Sequence, residues 1–237
     1  MKIISLIPAR RGSKGIKDKN IKKLGKHPLL TLAIKASLGS KYISRTIVST
    51  DSKKYAKIAL KYGADVPFIR PKKFSGSNNK DYDVVIHLIR SLKLYNCDNC
   101  LIVYLRPTSP FRSPKILDNA IKIFLKKKSK IDSLRSVSEM SETAFKSFVI
   151  YKKRLRSITN KYKYLEISNS PRQKLKNTYI GNGLIDIYKL KFILKNKKLH
   201  GNNVYPHITK NFPEIDTLED FKYAAYYYRK GNLKNAN

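Results

Sequence analysis

The chain has no tryptophan, two cysteines and four histidines in 237 residues, and only 16 acids against 51 lysines and arginines. Two cysteines are too few for a disulfide-stapled scaffold. Cys97 and Cys100 stand in Cys-Asp-Asn-Cys, a spacing open to a redox pair or half of a zinc site. No second pair completes a four-cysteine site and the histidines are distant in sequence, so they read as two reduced thiols at a turn before a strand. No apolar run approaches the ~20 residues needed to span a bilayer. The opening Met1-Lys2-Ile3-Ile4-Ser5-Leu6-Ile7-Pro8 has too short an apolar stretch for a signal peptide, which predicts a cytoplasmic protein. With 41% hydrophobic and 11% aromatic residues the chain is neither disordered nor collagen-like, and its length suits one domain with a small appendage.

The shortage of acids leaves a formal net charge of +35. Lysine supplies most of it, scattered through nearly every segment. That spread reads as a solvated basic surface, whereas a nucleic-acid face would gather cations into a stripe with interleaved aromatics. A basic nucleic-acid-binding protein is the alternative from another class, and the Tyr-rich stretch 223–228 beside Lys222 and Arg229 is where it would show. Either surface attracts anions, nucleotides included, in a salt-dependent way.

A β-branched apolar run at 2–7, ended by Pro8, predicts a buried strand. A Gly-, Lys- and Arg-rich loop fills 9–27, and helical periodicity runs from Pro28 to Leu38. Further strands are expected at 46–50, 66–69, 101–105, 132–138 and 183–188. Helices are expected at 52–62 with Asp51 as cap, at 81–94, from Ser113-Pro114 to about 126, and at 217–229. This alternation predicts an α/β fold with a mainly parallel sheet flanked by helices. Residues 139–180 break the rhythm. Residues 1–138 and 181–237 are therefore expected to form the α/β domain, with 139–180 inserted as an arm.

Ligands of an open α/β sheet bind beyond the carboxyl ends of its strands. That rule selects the loops after residues 7, 50, 69 and 105. The first runs Pro8-Ala9-Arg10-Arg11-Gly12-Ser13-Lys14-Gly15-Ile16-Lys17-Asp18-Lys19-Asn20. Gly12 and Gly15 allow close backbone approach, Arg10, Lys14 and Lys19 supply positive charge, and Ser13 adds a hydroxyl. A triphosphate calls for such a set of N–H groups and cations. The loop matches neither the P-loop nor the dinucleotide-binding pattern, and a basic surface loop is the plainer alternative.

Together with Val48-Ser49-Thr50-Asp51, Arg106-Pro107-Thr108-Ser109-Pro110-Phe111-Arg112, Asn182-Gly183 and Ile215-Asp216-Thr217, this loop resembles the acylneuraminate cytidylyltransferases, the CMP-sialic acid synthetases, over roughly residues 2–222. The resemblance implies a Rossmann-like domain whose small arm reaches into a homodimer partner. It implies cytidylyl transfer from CTP to an acidic nine-carbon α-keto sugar, with Mg²⁺ and release of pyrophosphate. By resemblance Arg10 and Lys19 hold the triphosphate beside Gly12, Ser13 and Lys14. Asn20 and Arg70 contact the nucleotide, and Thr108 belongs to the second loop. Asp216 ligates Mg²⁺, with Glu214 where relatives carry a first aspartate. Ser77 stands where relatives carry another aspartate, with Asn79 and Asp81 taking its polar contacts. Arg172 matches an arginine that acts near the acceptor or the phosphates across the dimer, and Lys146 aligns with a substrate-binding basic residue on the arm. Arg106 replaces a glutamine common in sialic-acid enzymes. It could pair with the sugar carboxylate, meet a modified substituent or brace its loop, so legionaminic, pseudaminic and KDO-type acids stand as alternative acceptors.

Overall fold

The computed structural model describes residues 1–13, 15–158 and 165–231. In chain order the elements are β1 (Lys2–Pro8), β2 (Lys23–Leu24), β3 (His27–Pro28), α1 (Leu29–Leu38), β4 (Arg45–Ser49), α2 (Lys53–Lys61), α3 (Asp81–Ser91) and β5 (Cys100–Tyr104). They continue with α4 (Pro114–Lys127), β6 (Ser133–Glu139), β7 (Phe148–Tyr151), β8 (Arg154–Ser157), β9 (Tyr179–Lys189), α5 (Leu190–Asn196), β10 (Val204–Ile208) and α6 (Leu218–Arg229). Six strands form one sheet in the order β10-β6-β9-β5-β1-β4. All neighbours pair in parallel except β9, which runs antiparallel between β5 and β6.

Alternation along β1 explains the layers. Ile3 and Ile7 enter one core with residues of α1, α2, α4 and α6, while Ile4 and Leu6 enter a second core with residues of α3 and α5. Side chains on a strand alternate faces, so a strand apolar on both faces must be covered on both. Helix starts follow their caps. Ser113 accepts from Ile116 N at 3.3 Å and Pro114 opens α4. Thr217 and Asp220 form a reciprocal capping box on α6, a device stabilising a helix by about 1 kcal/mol.

Three expectations are corrected. Ser52, not Asp51, caps α2, accepting from Tyr55 N, while Asp51 Oδ1 accepts from Arg11 N at 2.8 Å. Residues 66–69 form no strand and contribute only an isolated bridge at Ile69 to Thr50, because Pro67 removes a ladder donor. Cys97 and Cys100 are joined in a disulfide. The 3₁₀ turn Leu94–Asn96 precedes them, and their Cα atoms lie 5.4 Å apart, inside the span a disulfide bridges. The sequence patterns also missed α5 and β10. Among the described residues no helix is long and apolar enough to cross a membrane. Between Met140 and Thr178, whose backbone N–H and C=O close the segment at 3.0 Å, β7 and β8 form a two-stranded ribbon separate from the main sheet.

Candidate active site

The sheet's connectivity creates the site. From β1 the chain crosses through α1 to β4 on one side, then through α3 to β5 on the other. The loops leaving the carboxyl ends of β1 and β5 thus part in opposite directions, a topological switch point that leaves a crevice. A cleft of about 460 Å³ opens there, lined by Pro8, Arg10, Ser13, Gly15, Lys19, Asn20, Ser77, Asn78, Asp81, Arg106, Pro107, Thr108 and Asp216. That volume suits a small-molecule site.

The first loop is held from below. Ala9 N donates to Ser49 O, and the buried Asn20 side chain donates to Arg10 O at 2.9 Å. Tyr55, buried under the loop, donates its hydroxyl to Asp18 Oδ1 at 2.8 Å; burial first, then Asp18, raises its pKa. Gly15 touches the far wall, since a β-carbon there would stand 2.4 Å from Asp216 O. Lys19 Nζ donates to Asp216 Oδ1 at 2.8 Å and to Ile215 O at 2.9 Å. Its ammonium is therefore already paired, whereas Arg10 has no ion-pair partner among the described residues. Gly12 lies outside the lining and Lys14 lies outside the described residues.

The second loop is fixed by charge. Arg106 Nη1 donates to Asp186 Oδ2 at 2.8 Å and Nη2 to Asp81 Oδ2 at 2.5 Å. Burial opposes its charge, but Asp186 and then Asp81 outweigh burial and raise its pKa. Arg112 is buried behind the loop and donates to Arg106 O at 2.7 Å and to Gly183 O at 3.2 Å. Burial, reinforced by Arg106, pushes its pKa down to about 9. Thr108 O accepts from Ile215 N at 2.9 Å, which ties this loop to the segment bearing Asp216.

That segment carries two carboxylates. Asp216 faces the cleft with its side chain 72% exposed. The α6 cap fixes its backbone, as Asp220 Oδ2 accepts from Asp216 N at 3.0 Å. Glu214 lies behind the wall, where Thr108 and Ser109 hydroxyls donate weakly to Oε1 at 3.4 Å. Burial first, then the charge of Asp216, raises the Glu214 pKa. Two oxygen-donor carboxylates that repel one another fit a hard cation such as Mg²⁺, which takes one or two carboxylates and keeps waters. Among the described residues no group of three or more His, Cys, Asp or Glu side chains gathers as a metal cage.

Arg70 lies behind the wall, only 3% exposed, with Nε donating to Ser75 Oγ and Nη1 sealed without a partner. Burial lowers its pKa, against the opposing pull of Tyr104 and Asp51. Asn79 does not line the cleft. Its side chain accepts from Gly76 N and donates to Lys73 O and Asp83, bracing the turn, while Ser77 and Asn78 face the cleft. Arg172 and Lys146 are also outside the cleft of this chain. Arg172 donates to Glu139 Oε1 and Met140 O at the root of the ribbon, and Lys146 ends the 3₁₀ turn Ala144–Lys146. Asp186, Arg112 and Asn78 escaped the sequence reading. Asp186 had a signal: a lone acid within the apolar run Leu184-Ile185-Asp186-Ile187 of an acid-poor chain.

Fold and cleft together define a doubly wound α/β protein with a basic, glycine-bearing loop facing Asp216, behind which Glu214 lies. The sequence matches the family described as "Cytidylyltransferase" over residues 4–235. It is 32% identical to CMP-N,N'-diacetyllegionaminic acid synthase of Legionella pneumophila over 93% of this chain and 94% of that one. An N-acylneuraminate cytidylyltransferase of Escherichia coli is 39% identical over 52% of this chain and 28% of its own length. The solved CMP:2-keto-3-deoxy-manno-octonic acid synthetase complexed with CTP shares the fold at a TM-score of 0.73 and 13% identity, covering 98% of this chain and all of that one. The chain belongs to the cytidylyltransferase family, as its motifs indicated, and it is a nucleotidyltransferase.

Proposed function

We propose that the protein transfers a cytidylyl group from CTP to a nonulosonic acid of the N-acylneuraminate type, releasing pyrophosphate. One observation carries this reading: two loops far apart in sequence, around Arg10–Asn20 and Arg106–Thr108, meet Asp216 in a single cleft. The names of the relatives support it, and among them the Legionella enzyme makes N,N'-diacetyllegionaminate the first alternative acceptor to try. The acceptor's anomeric hydroxyl oxygen bonds to the α-phosphorus while the bond to pyrophosphate breaks and the proton leaves to water. Charge grows on the phosphoryl oxygens and the leaving group, so positioning and electrostatics supply most of the catalysis. Arg10 supplies free charge to the triphosphate. Lys19 holds Asp216 in place and presents its remaining donor capacity to the same phosphates.

Asp216, with Glu214 behind it, would hold Mg²⁺, which supplies charge neutralisation to the polyphosphate when bound. The arm makes a homodimer in this reading and carries Arg172 and Lys146 toward the partner's cleft. Support comes from the ribbon's exposed apolar surface, with Phe148, Val149, Ile150, Tyr151 and Leu155 all facing outward. The test is pyrophosphate release with CTP, Mg²⁺ and a panel of N-acetylneuraminate, legionaminate, pseudaminate and KDO, with chelator controls. Turnover with one panel member supports the reading. CTP binding without release from any of them would identify an inactive relative instead.

A further inference from the structure

The two substrates of this reaction are anions, yet the arginine nearest the second loop is not left free to pair with either. Arg106 is held by Asp186 on β9 and by Asp81 at the start of α3. Tyr104 lies under its guanidinium at 5.1 Å, and Arg112 grips its carbonyl. Asp186 is 1% exposed, and its other oxygen has only Arg135 Nε at 3.7 Å. Arg106 is thus paired with two carboxylates, one of which, Asp186, it shares with Arg135. An incoming carboxylate or phosphate at this wall would meet the Asp81 carboxylate, which lines the same cleft. Five N–H groups belong to a guanidinium, and two of those of Arg106 are used, so three remain without a partner among the described residues. Its neighbours along the wall, Ser77, Asn78 and Thr108, are polar and uncharged.

We infer that Arg106 recognises an uncharged oxygen of a substrate as a neutralised hydrogen-bond donor, and that Asp186 is the positioning residue that fixes it there. This rests on the cytidylyl-transfer reading above. Two groups supply such an oxygen: the carbonyl of an acyl substituent on the acceptor and the ring carbonyl of the pyrimidine. Neither carries net charge, and both accept from a fixed N–H without meeting repulsion from Asp81.

The experiment separates donor from charge. Two double variants, R106Q/D186N and R106M/D186N, both remove the cation and its buried counter-ion, so neither leaves Asp186 buried and unpaired. Only glutamine keeps N–H donors. With a donor role, kcat/KM for pyrophosphate release falls about tenfold further in R106M/D186N than in R106Q/D186N, the order of one hydrogen bond to a neutral group. The extra loss appears in one KM alone: the acceptor's if the acyl carbonyl is bound, that of CTP if the pyrimidine is. Equal losses in the two variants mean that charge was the working property and overturn the inference. Unchanged KM values for both substrates in R106M/D186N overturn it too, leaving Arg106 a brace. Should neither double variant fold by circular dichroism, D81N provides the second reading. Freed of Asp81, Arg106 gains net charge toward the cleft, and inorganic pyrophosphate inhibits several-fold more tightly at low salt; unchanged inhibition overturns the inference. Absence of wild-type turnover with every acceptor removes the proposed function itself, an outcome distinct from either variant pattern.

Discussion

Gly15→Ala tests whether the cleft is built as described, because its clash is with backbone. The added β-carbon would stand 2.4 Å from Asp216 O. A relaxed carbon–oxygen contact lies at about 3.3 Å or more, so loop and wall must separate by roughly 1 Å. The wall resists: Ile215 N donates to Thr108 O at 2.9 Å, and Asp216 N donates to Asp220 at 3.0 Å. The displacement therefore falls on the loop bearing Arg10 and Lys19. Misplacement of about 1 Å at a reacting centre costs on the order of 10²-fold in rate, and overpacking of this kind costs about 1–3 kcal/mol of stability. Pyrophosphate release and urea denaturation read the two effects. Gly12→Ala is the comparison, since a β-carbon there meets no protein atom within 4 Å. Any loss at Gly12 reports contact with a ligand, not strain. A Gly15→Ala protein with wild-type kcat/KM and an unchanged denaturation midpoint would refute the geometry.

Asp216→Ala should lower Mg²⁺-dependent turnover by 10²-fold or more, on the order seen when a charge-stabilising group is removed, and the thermal midpoint should fall as well, because the largely buried Lys19 ammonium is left with Ile215 O and no counter-ion. Normal Mg²⁺ dependence in the folded variant would end the metal assignment. For Glu214, a folded-state pKa above the unfolded value means that its contribution to stability is full below the ordinary glutamate value and is lost as pH rises through the raised one. Glu214→Gln should therefore be more stable than wild type at pH 7, and the gap should close toward pH 4 in denaturant titrations. The histidines His87, His200 and His207, whose values burial lowers, act with the opposite sign and cancel in the difference. Ile150→Asp places a charge on a side chain 78% exposed at the ribbon. It should convert a dimer to a monomer in light scattering without changing the unfolding midpoint, and a monomeric wild type would dispose of the dimer.

What was legible in the sequence follows from range. The strands at β1, β4 and β5 and the helices opened by Ser113-Pro114 and Thr217 are set by neighbouring residues, so local pattern suffices to find them. Val66–Ile69 misled because its apolar run hides Pro67. α5 was missed because seven residues offer only Leu190 and Ile193 to the core, too few for a visible period. β10 was missed because it is an edge strand carrying Pro206, with His207 alone fully buried.

The site divides along the same line. The loop could be located from sequence because a Gly-, Lys- and Arg-rich stretch follows a strand, and five of its residues, Arg10, Ser13, Gly15, Lys19 and Asn20, line the cleft. Their partners could not be located that way, because electrostatics acts across space. Arg106 meets Asp81 from 25 residues away and Asp186 from 80, and no spacing rule connects them. Pairing changes what a charge can do. Lys19 and Arg10 look alike on paper, yet one is tied to Asp216 and the other has no ion-pair partner among the described residues. Arg106 looks like a counter-ion for an acid, yet two carboxylates already neutralise it. An acid-poor chain makes each carboxylate informative for this reason. With only 16 acids to set against 51 cations, the ones gathered at this cleft, Asp81, Asp186, Glu214 and Asp216, decide which of its cations remain available to a substrate.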